Sequence, residues 1–183
     1  CHANATDCGM MLPFYSVLAK RLRVRVAAVE YAGYGAATGA PSVSDAFADA
    51  EAAYDELLAR GTPAERIVAY GQSIGSAPAC RLAARRSVRG VVLHSPIASG
   101  LRAISLGGCC APASVLGCME PFQNVRHMRK IECPSLIIHG TADEEIPIAH
   151  AKMLYAAARR AAPPFWVKGA GHNDVVEHSE EEY

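Results

Sequence analysis

The run Gly71-Gln72-Ser73-Ile74-Gly75 follows the apolar stretch Ile67-Val68-Ala69-Tyr70 and leads into a helical pattern. A serine between two glycines at this spacing, where a strand turns sharply into a helix, is a nucleophile elbow. The turn is so tight that the residues two before and two after the serine must have almost no side chain. Ser73 is then raised above the sheet edge at a helix N-terminus, where the helix dipole favours negative charge. That chemistry is attack on an acyl carbon.

A lone serine is a poor nucleophile, so it needs a base, and the base needs an orienting carboxylate. His139-Gly140-Thr141-Ala142-Asp143 follows the strand-like Leu136-Ile137-Ile138, which puts Asp143 on a loop at the sheet's carboxyl edge. His172 lies in Gly169-Ala170-Gly171-His172-Asn173-Asp174, after Phe165-Trp166-Val167. Nucleophile, acid and base in that order are what an elbow of this kind leads to. Glu144 and Glu145 compete with Asp143 for the acid role, and a first-turn dipole or capping role accounts for them as well. His94 and His139, at strand ends, read as core or edge histidines; His127, His150 and His178, among polar neighbours, read as solvated surface. A tetrahedral intermediate also needs two amide donors. The backbone N–H of Ile74, next to the nucleophile, is one, and that of Asn4, in the loop opened by Cys1-His2-Ala3-Asn4, is the other.

Such residues must be held by a sheet. Short apolar runs alternate with longer helical patterns along the chain, the signature of a parallel sheet built from βα units. The spacing predicts strands at Val24–Glu30, Ile67–Gly71, Gly90–His94, Ser135–His139 and Pro164–Lys168, each a nearly continuous apolar run of the kind buried on both faces. A helix is predicted over Ser42–Arg60, capped by Ser42, with Val43, Ala46, Phe47, Ala50, Tyr54, Leu57 and Leu58 on one stripe and a stop at Gly61. Others run from just after Ser73 to about Arg86, and from Pro147 to about Arg160 with Ile148, Ala151, Leu154, Tyr155 and Ala158 inward. Residues 99–130 have no clean period and read as a lid-like excursion over the carboxyl edge, where such sheets place their chemistry.

The 183 residues suit one domain spanning 1–183, and 51% hydrophobic content excludes a disordered chain. Eighteen basic against 18 acidic side chains removes the basic footprint of a nucleic-acid binder. The seven cysteines form an odd set with no CxxC and no zinc-ligand spacing, so they read as free thiols in a reducing compartment, mostly as small buried hydrophobes. The uncharged stretch Ala103–Met119 is broken by Gly107, Gly108, Pro112 and Gly117, which argues against a membrane-spanning helix.

The motifs Cys1-His2-Ala3-Asn4-Ala5-Thr6-Asp7, Glu30-Tyr31-Ala32-Gly33-Tyr34-Gly35, Tyr70-Gly71-Gln72-Ser73-Ile74-Gly75-Ser76, Leu93-His94-Ser95-Pro96, His139-Gly140-Thr141-Ala142-Asp143-Glu144 and Gly169-Ala170-Gly171-His172-Asn173-Asp174 together resemble the α/β-hydrolase superfamily. Within it, they resemble the ABHD-type protein depalmitoylases, acyl-protein thioesterases similar to bem46-like serine hydrolases. The resemblance implies a three-layer sandwich around a mostly parallel sheet, a triad of Ser73, His172 and Asp143, no cofactor and no metal. It implies hydrolysis, through an acyl-enzyme, of fatty acyl thioesters on protein cysteines at the cytosolic face of membranes. A carboxyl ester, lipid or peptide substrate on the same triad, or a silent hydrolase-shaped binding module, are the other readings. Ala3 stands where the family has Gly, and Glu30 where it has Asp. A Cβ at position 3 is expected to restrict the oxyanion loop, so that Ala3→Gly raises turnover. The strand that ends at the family's His-Gly motif lies before Cys1, so the resemblance implies an N-terminally truncated sheet. It also implies peripheral membrane association through the missing N-terminal part.

Overall fold

A computed structural model of the chain describes residues 1–100 and 122–179. Four parallel strands, β1 (Val68–Gln72), β2 (Gly90–His94), β3 (Ser135–Gly140) and β4 (Phe165–Val167), form one sheet in the order β1-β2-β3-β4. In register, Gln72 faces His94, His94 faces Ile138 and Gly140 faces Val167. The carboxyl ends that carry Ser73, Asp143 and His172 therefore come level along one edge. Six helices accompany the strands among the described residues: α1 (Leu12–Leu22), α2 (Val43–Ala59), α3 (Ser76–Arg85), α4 (Asn124–Met128), α5 (Ala149–Ala157) and α6 (Val175–His178).

One face of the sheet is closed by α2 to α5. Ala69, Val91, Leu93 and Ile137 pack there against Tyr54, Ala79, Leu82, Met128 and Leu154 in a single buried cluster. Ser42 caps α2 as expected, its hydroxyl accepting from the Asp45 amide at 3.0 Å. Of the expected stripe, Ala50 and Tyr54 are buried and Leu57 packs against the core, whereas Leu58 is exposed. The other face carries a smaller cluster of Ile138, Val167, Ala170 and Val175.

The strand expected at Val24–Glu30 does not form. These residues make no β-bridge, and Val24 and Val26 are exposed. The reason is pairing, since an isolated strand leaves its backbone groups without partners. Between this segment and β1 lies a cavity of about 450 Å³, walled by Val24–Val29 on one side and Val68, Tyr70, Val92 and Leu136 on the other. Among the described residues Cys1 takes up the ladder on this edge of β1, its amino group donating to Tyr70 O at 2.9 Å and its carbonyl accepting from Gln72 N at 3.1 Å. This is parallel pairing, in the direction the sequence expected for the strand ending at the first motif. Helix α1 is an element that the sequence reading does not include: Phe14, Tyr15, Leu18 and Leu22 share a stripe, but none of its residues is buried, and Tyr15, Leu18 and Leu22 line the cavity beside β1. The expected lid-like excursion at 99–130 falls largely on residues 101–121, outside the described residues, as do Cys109, Cys110 and Cys118. Its last part is helix α4.

Candidate active site

At the end of β1 the chain passes through a single 3₁₀ turn, Ser73–Gly75, and enters α3. Ser73 has φ +51°, a left-handed conformation that costs a non-glycine residue about 1–2 kcal/mol. The flanking glycines are explained by close approach. A Cβ on Gly71 would strike the Gly75 carbonyl and Ala79, and one on Gly75 would strike the carbonyls of Cys1 and His2. Gly75 thus lets the first motif lie directly against the elbow. Beneath it, the buried Ser76 hydroxyl donates to Ser73 O at 2.6 Å and accepts from Ile97 N and from Asn124 Nδ2, each at 3.2 Å.

Ser73, His172 and Asp143 form one hydrogen-bonded chain. His172 Nδ1 lies 2.7 Å from Asp143 Oδ2 and Nε2 lies 3.0 Å from Ser73 Oγ. All three residues are at most 7% exposed, which makes these contacts strong and keeps water from competing. Donation from Nδ1 to the carboxylate leaves Nε2 as the acceptor of the serine proton. Two loops must meet for this, and Gly140 permits it. A Cβ there would run into the backbone of Ala170 and Gly171, while Thr141 N and Ala142 N donate across to Val167 O and Ala170 O, each at 2.9 Å.

Asp143 Oδ1 accepts from Ile146 N at 2.7 Å and Glu145 N at 3.0 Å. Burial opposes its charge, but hydrogen bonds from His139, His172 and Ile146 N outweigh that cost and hold the carboxyl well below the usual carboxylate range. For His172, burial again disfavours the charge. The Asp143 hydrogen bond, with the fields of Asp143 and Glu145, wins and raises its pKa above the ordinary 6.5. Of the two competing acids, Glu145 stands at the rim, its Oε2 3.9 Å from His172 Nε2 and its Oε1 receiving Asn173 Nδ2 at 3.0 Å. Glu144 is exposed.

The histidines divide differently from expectation. His139 is buried, as expected, but it also touches the acid: Nε2 lies 2.7 Å from Ile146 O and 3.2 Å from Asp143 Oδ2. His94 is held neutral, its pKa pushed down to about 3 by burial and by the neighbouring His172 and His139. His150, expected at the surface, is 4% exposed, because its Nδ1 accepts the amide of Ala98 at 3.1 Å from a loop distant in sequence. His127 is half-buried and His178 exposed. Ser76 and Asn173 carry no signal in the sequence beyond their nearness to a motif residue, and the contacts of His139 and Glu145 with the triad are not visible in it.

Asn4 and Ile74 line a common cavity of about 280 Å³, walled chiefly by Tyr31, Tyr34, Phe47 and Phe122. Tyr34 Oη donates to Asn4 Oδ1 at 2.8 Å and fixes that side chain. This apolar cavity thus reaches Ile74, the residue next to the nucleophile, and Asn4 of the first motif.

No family model matches the chain. In sequence it is similar to the α/β-hydrolase domain-containing protein aho-3 of Caenorhabditis elegans, with 40% identity over 179 residues, covering 97% of this chain and 52% of that protein. It is also similar to the human α/β-hydrolase domain-containing protein 17B, with 42% identity over 175 residues, covering 95% and 59%. The chain thus spans little more than half the length of these curated relatives. In fold it is similar to the Pyrococcus furiosus esterase Pf2001, with TM-score 0.77 and 21% identity over 99% of this chain and 76% of that one. The Paleococcus ferrophilus monoacylglycerol lipase has TM-score 0.71 and 20% identity over 94% and 84%.

Proposed function

The chain belongs to the α/β-hydrolase superfamily, and on that premise we propose that it is a serine hydrolase that removes fatty acyl groups from protein cysteines. The observation that carries this reading is the chain Asp143 Oδ2, His172, Ser73 Oγ at 2.7 and 3.0 Å; Ile74, the residue after Ser73, lines an apolar cavity of about 280 Å³. In the proposed reaction Ser73 Oγ attacks the thioester carbonyl while His172 Nε2 takes its proton. Asp143 holds the imidazole and balances the imidazolium. The amides of Ile74 and Asn4 receive the oxyanion, and losing one such donor typically costs about a hundred- to a thousand-fold in turnover. Collapse of the intermediate breaks the C–S bond, and His172 returns its proton to the departing thiolate. Water, deprotonated by the same His172, then hydrolyses the acyl-Ser73 ester. No cofactor is needed for either half.

The substrate class rests on the apolar pocket and on the similarity to the α/β-hydrolase domain-containing proteins. We place the substrate on S-acylated proteins at the cytosolic face of membranes. Labelling with a fluorophosphonate probe is expected for the wild-type chain and not for Ser73→Ala; labelling independent of Ser73 overturns the reading. A panel of palmitoyl-thioester, palmitoyl-ester and short-chain ester substrates then fixes the class. Preference for the oxygen esters assigns a carboxylesterase instead.

A further inference from the structure

The second residue of the chain is a buried histidine that the proposed reaction does not use. His2 is 1% exposed, its ring packed against Tyr31 and Tyr34 at centroid distances of 4.3 and 5.4 Å. Its Nδ1 bonds to the Ala3 carbonyl at 2.8 Å, so Nδ1 carries a proton and, in the neutral ring, Nε2 presents a lone pair. That lone pair faces Glu30 Oε1 at 3.0 Å. An imidazolium donating from Nε2 to Glu30 satisfies this pair, and so does a cation held between the carboxylate and the neutral ring. Cys8 completes the group: His2 Nε2, Cys8 Sγ and a Glu30 carboxylate oxygen all lie within 4.8 Å of one another.

We propose that His2, Cys8 and Glu30 form a binding site for a thiophilic divalent cation of the zinc class. The donor set, one imidazole, one thiolate and one carboxylate, is the mixture that zinc takes, with a fourth position left for water. The surroundings match those of built metal sites. A ligating histidine donates its other ring N–H to a backbone carbonyl, as His2 does to Ala3, and a ligating carboxylate is itself hydrogen-bonded, as Glu30 Oε2 is by Cys8 N at 3.0 Å. Bonds of about 2.0–2.3 Å in tetrahedral geometry set donors about 3.3–3.8 Å apart, so the thiol closes on the ion with a movement of about 1 Å. Binding displaces the thiol proton to solvent. The ligands come from positions 2, 8 and 30, a spacing no zinc motif has. The ion ties the loop that carries Asn4 to the segment around Glu30.

The test is zinc affinity, measured on the purified chain by competition with a chromogenic chelator, and read separately by the near-ultraviolet sulfur-to-metal band of the cobalt adduct. The wild type is expected to bind one equivalent with that band. Cys8→Ser is expected to lose the band and at least tenfold in zinc affinity, and Glu30→Gln at least tenfold in affinity. Cys133→Ser, remote from the cluster, is expected to keep both. Circular dichroism checks folding, and Cys8→Ala replaces Cys8→Ser should the latter unfold. No stoichiometric binding by the wild type, or binding and band unchanged on removing the Cys8 thiol, overturns the site. Neither readout depends on hydrolysis.

Discussion

His139 Nε2 stands 3.2 Å from Asp143 Oδ2, the carboxylate oxygen that also receives His172 Nδ1 at 2.7 Å. The acid that orients the base is therefore itself oriented by a second histidine four residues earlier, at the end of the same strand. His139→Phe fills the same space but removes that donor and leaves a buried acceptor underbonded, at about 1–3 kcal/mol. With Ser73 labelling as the readout, the labelling rate is expected to fall about ten- to a hundred-fold. Without this donor the Asp143 carboxyl is less depressed, so the acid limb of the pH profile also changes. A folded variant with wild-type rate and profile removes the role.

Glu145 acts on the same triad from the rim. His172 must be neutral to take the Ser73 proton, and its pKa is raised, so activity falls on the acid side from a pH above 6.5. The field of Glu145 contributes to that rise. Glu145→Gln is expected to move the acid limb to lower pH and to raise activity between the two limbs. Because Glu145 is exposed, added salt reproduces part of the shift in the wild type. The pH dependence of probe labelling decides it: a limb that stays put or moves upward refutes the coupling.

The same ionisations set stability. The raised His172 pKa adds stability at pH below its unfolded value of 6.5, and this is lost as pH rises through the folded value. The depressed Asp143 pKa adds stability above its unfolded value of 3.8, lost as pH falls through the folded value. Asp143→Asn removes the Asp143 contribution and, with it, the group that raises His172, so it is expected to lower the urea midpoint more at pH 5, where both contributions are present, than at pH 8.5, where that of His172 is diminished. An equal loss at both contradicts the assignment.

Much of this was readable in the sequence, for local reasons. The elbow is readable because Gly71 and Gly75 answer a steric demand within five residues, and β2 to β4 because each is an apolar run between turn residues. What failed needed a partner. Val24–Glu30 has the composition of a strand, yet a strand exists only against a neighbour, and in the place between it and β1 the described residues supply the two ladder bonds of Cys1. His150 sits among polar residues in sequence, and its burial comes from Ala98, 52 positions away. His139 was readable as buried, but its bond to Asp143 depends on how the loop after Gly140 turns back.

Ser76 is a stability and activity residue at once. Its hydroxyl holds Ser73 O, Ile97 N and Asn124 Nδ2, and it is fully buried. Ser76→Ala strands these groups and is expected to destabilise the fold by about 1–3 kcal/mol. Since the carbonyl it releases belongs to the strained Ser73, probe labelling is expected to slow more than the loss of folded protein accounts for. Parallel urea unfolding and labelling measure both. Wild-type labelling of the folded fraction leaves Ser76 a purely structural clamp.

The first motif carries strain, but not where its sequence suggests it. Ala3 replaces a family glycine, and relief there is expected if position 3 needs glycine's freedom. The left-handed residue is instead Ala5, at φ +53°, and Ala3 is not among the positive-φ residues. Ala5→Gly removes about 1–2 kcal/mol of left-handed strain. It gives back about 0.4–1 kcal/mol through the freer unfolded chain. Ala3→Gly gives back the same entropy and relieves nothing. The two variants are thus expected to move the melting temperature in opposite directions, Ala5→Gly upward and Ala3→Gly downward, by roughly 2–4 °C per kcal/mol at this chain length. Turnover at Ala3→Gly is expected to stay level or fall, contrary to the expectation drawn from the family's glycine. Calorimetry of both variants tests this directly: a shift of the same sign in both places the strain elsewhere.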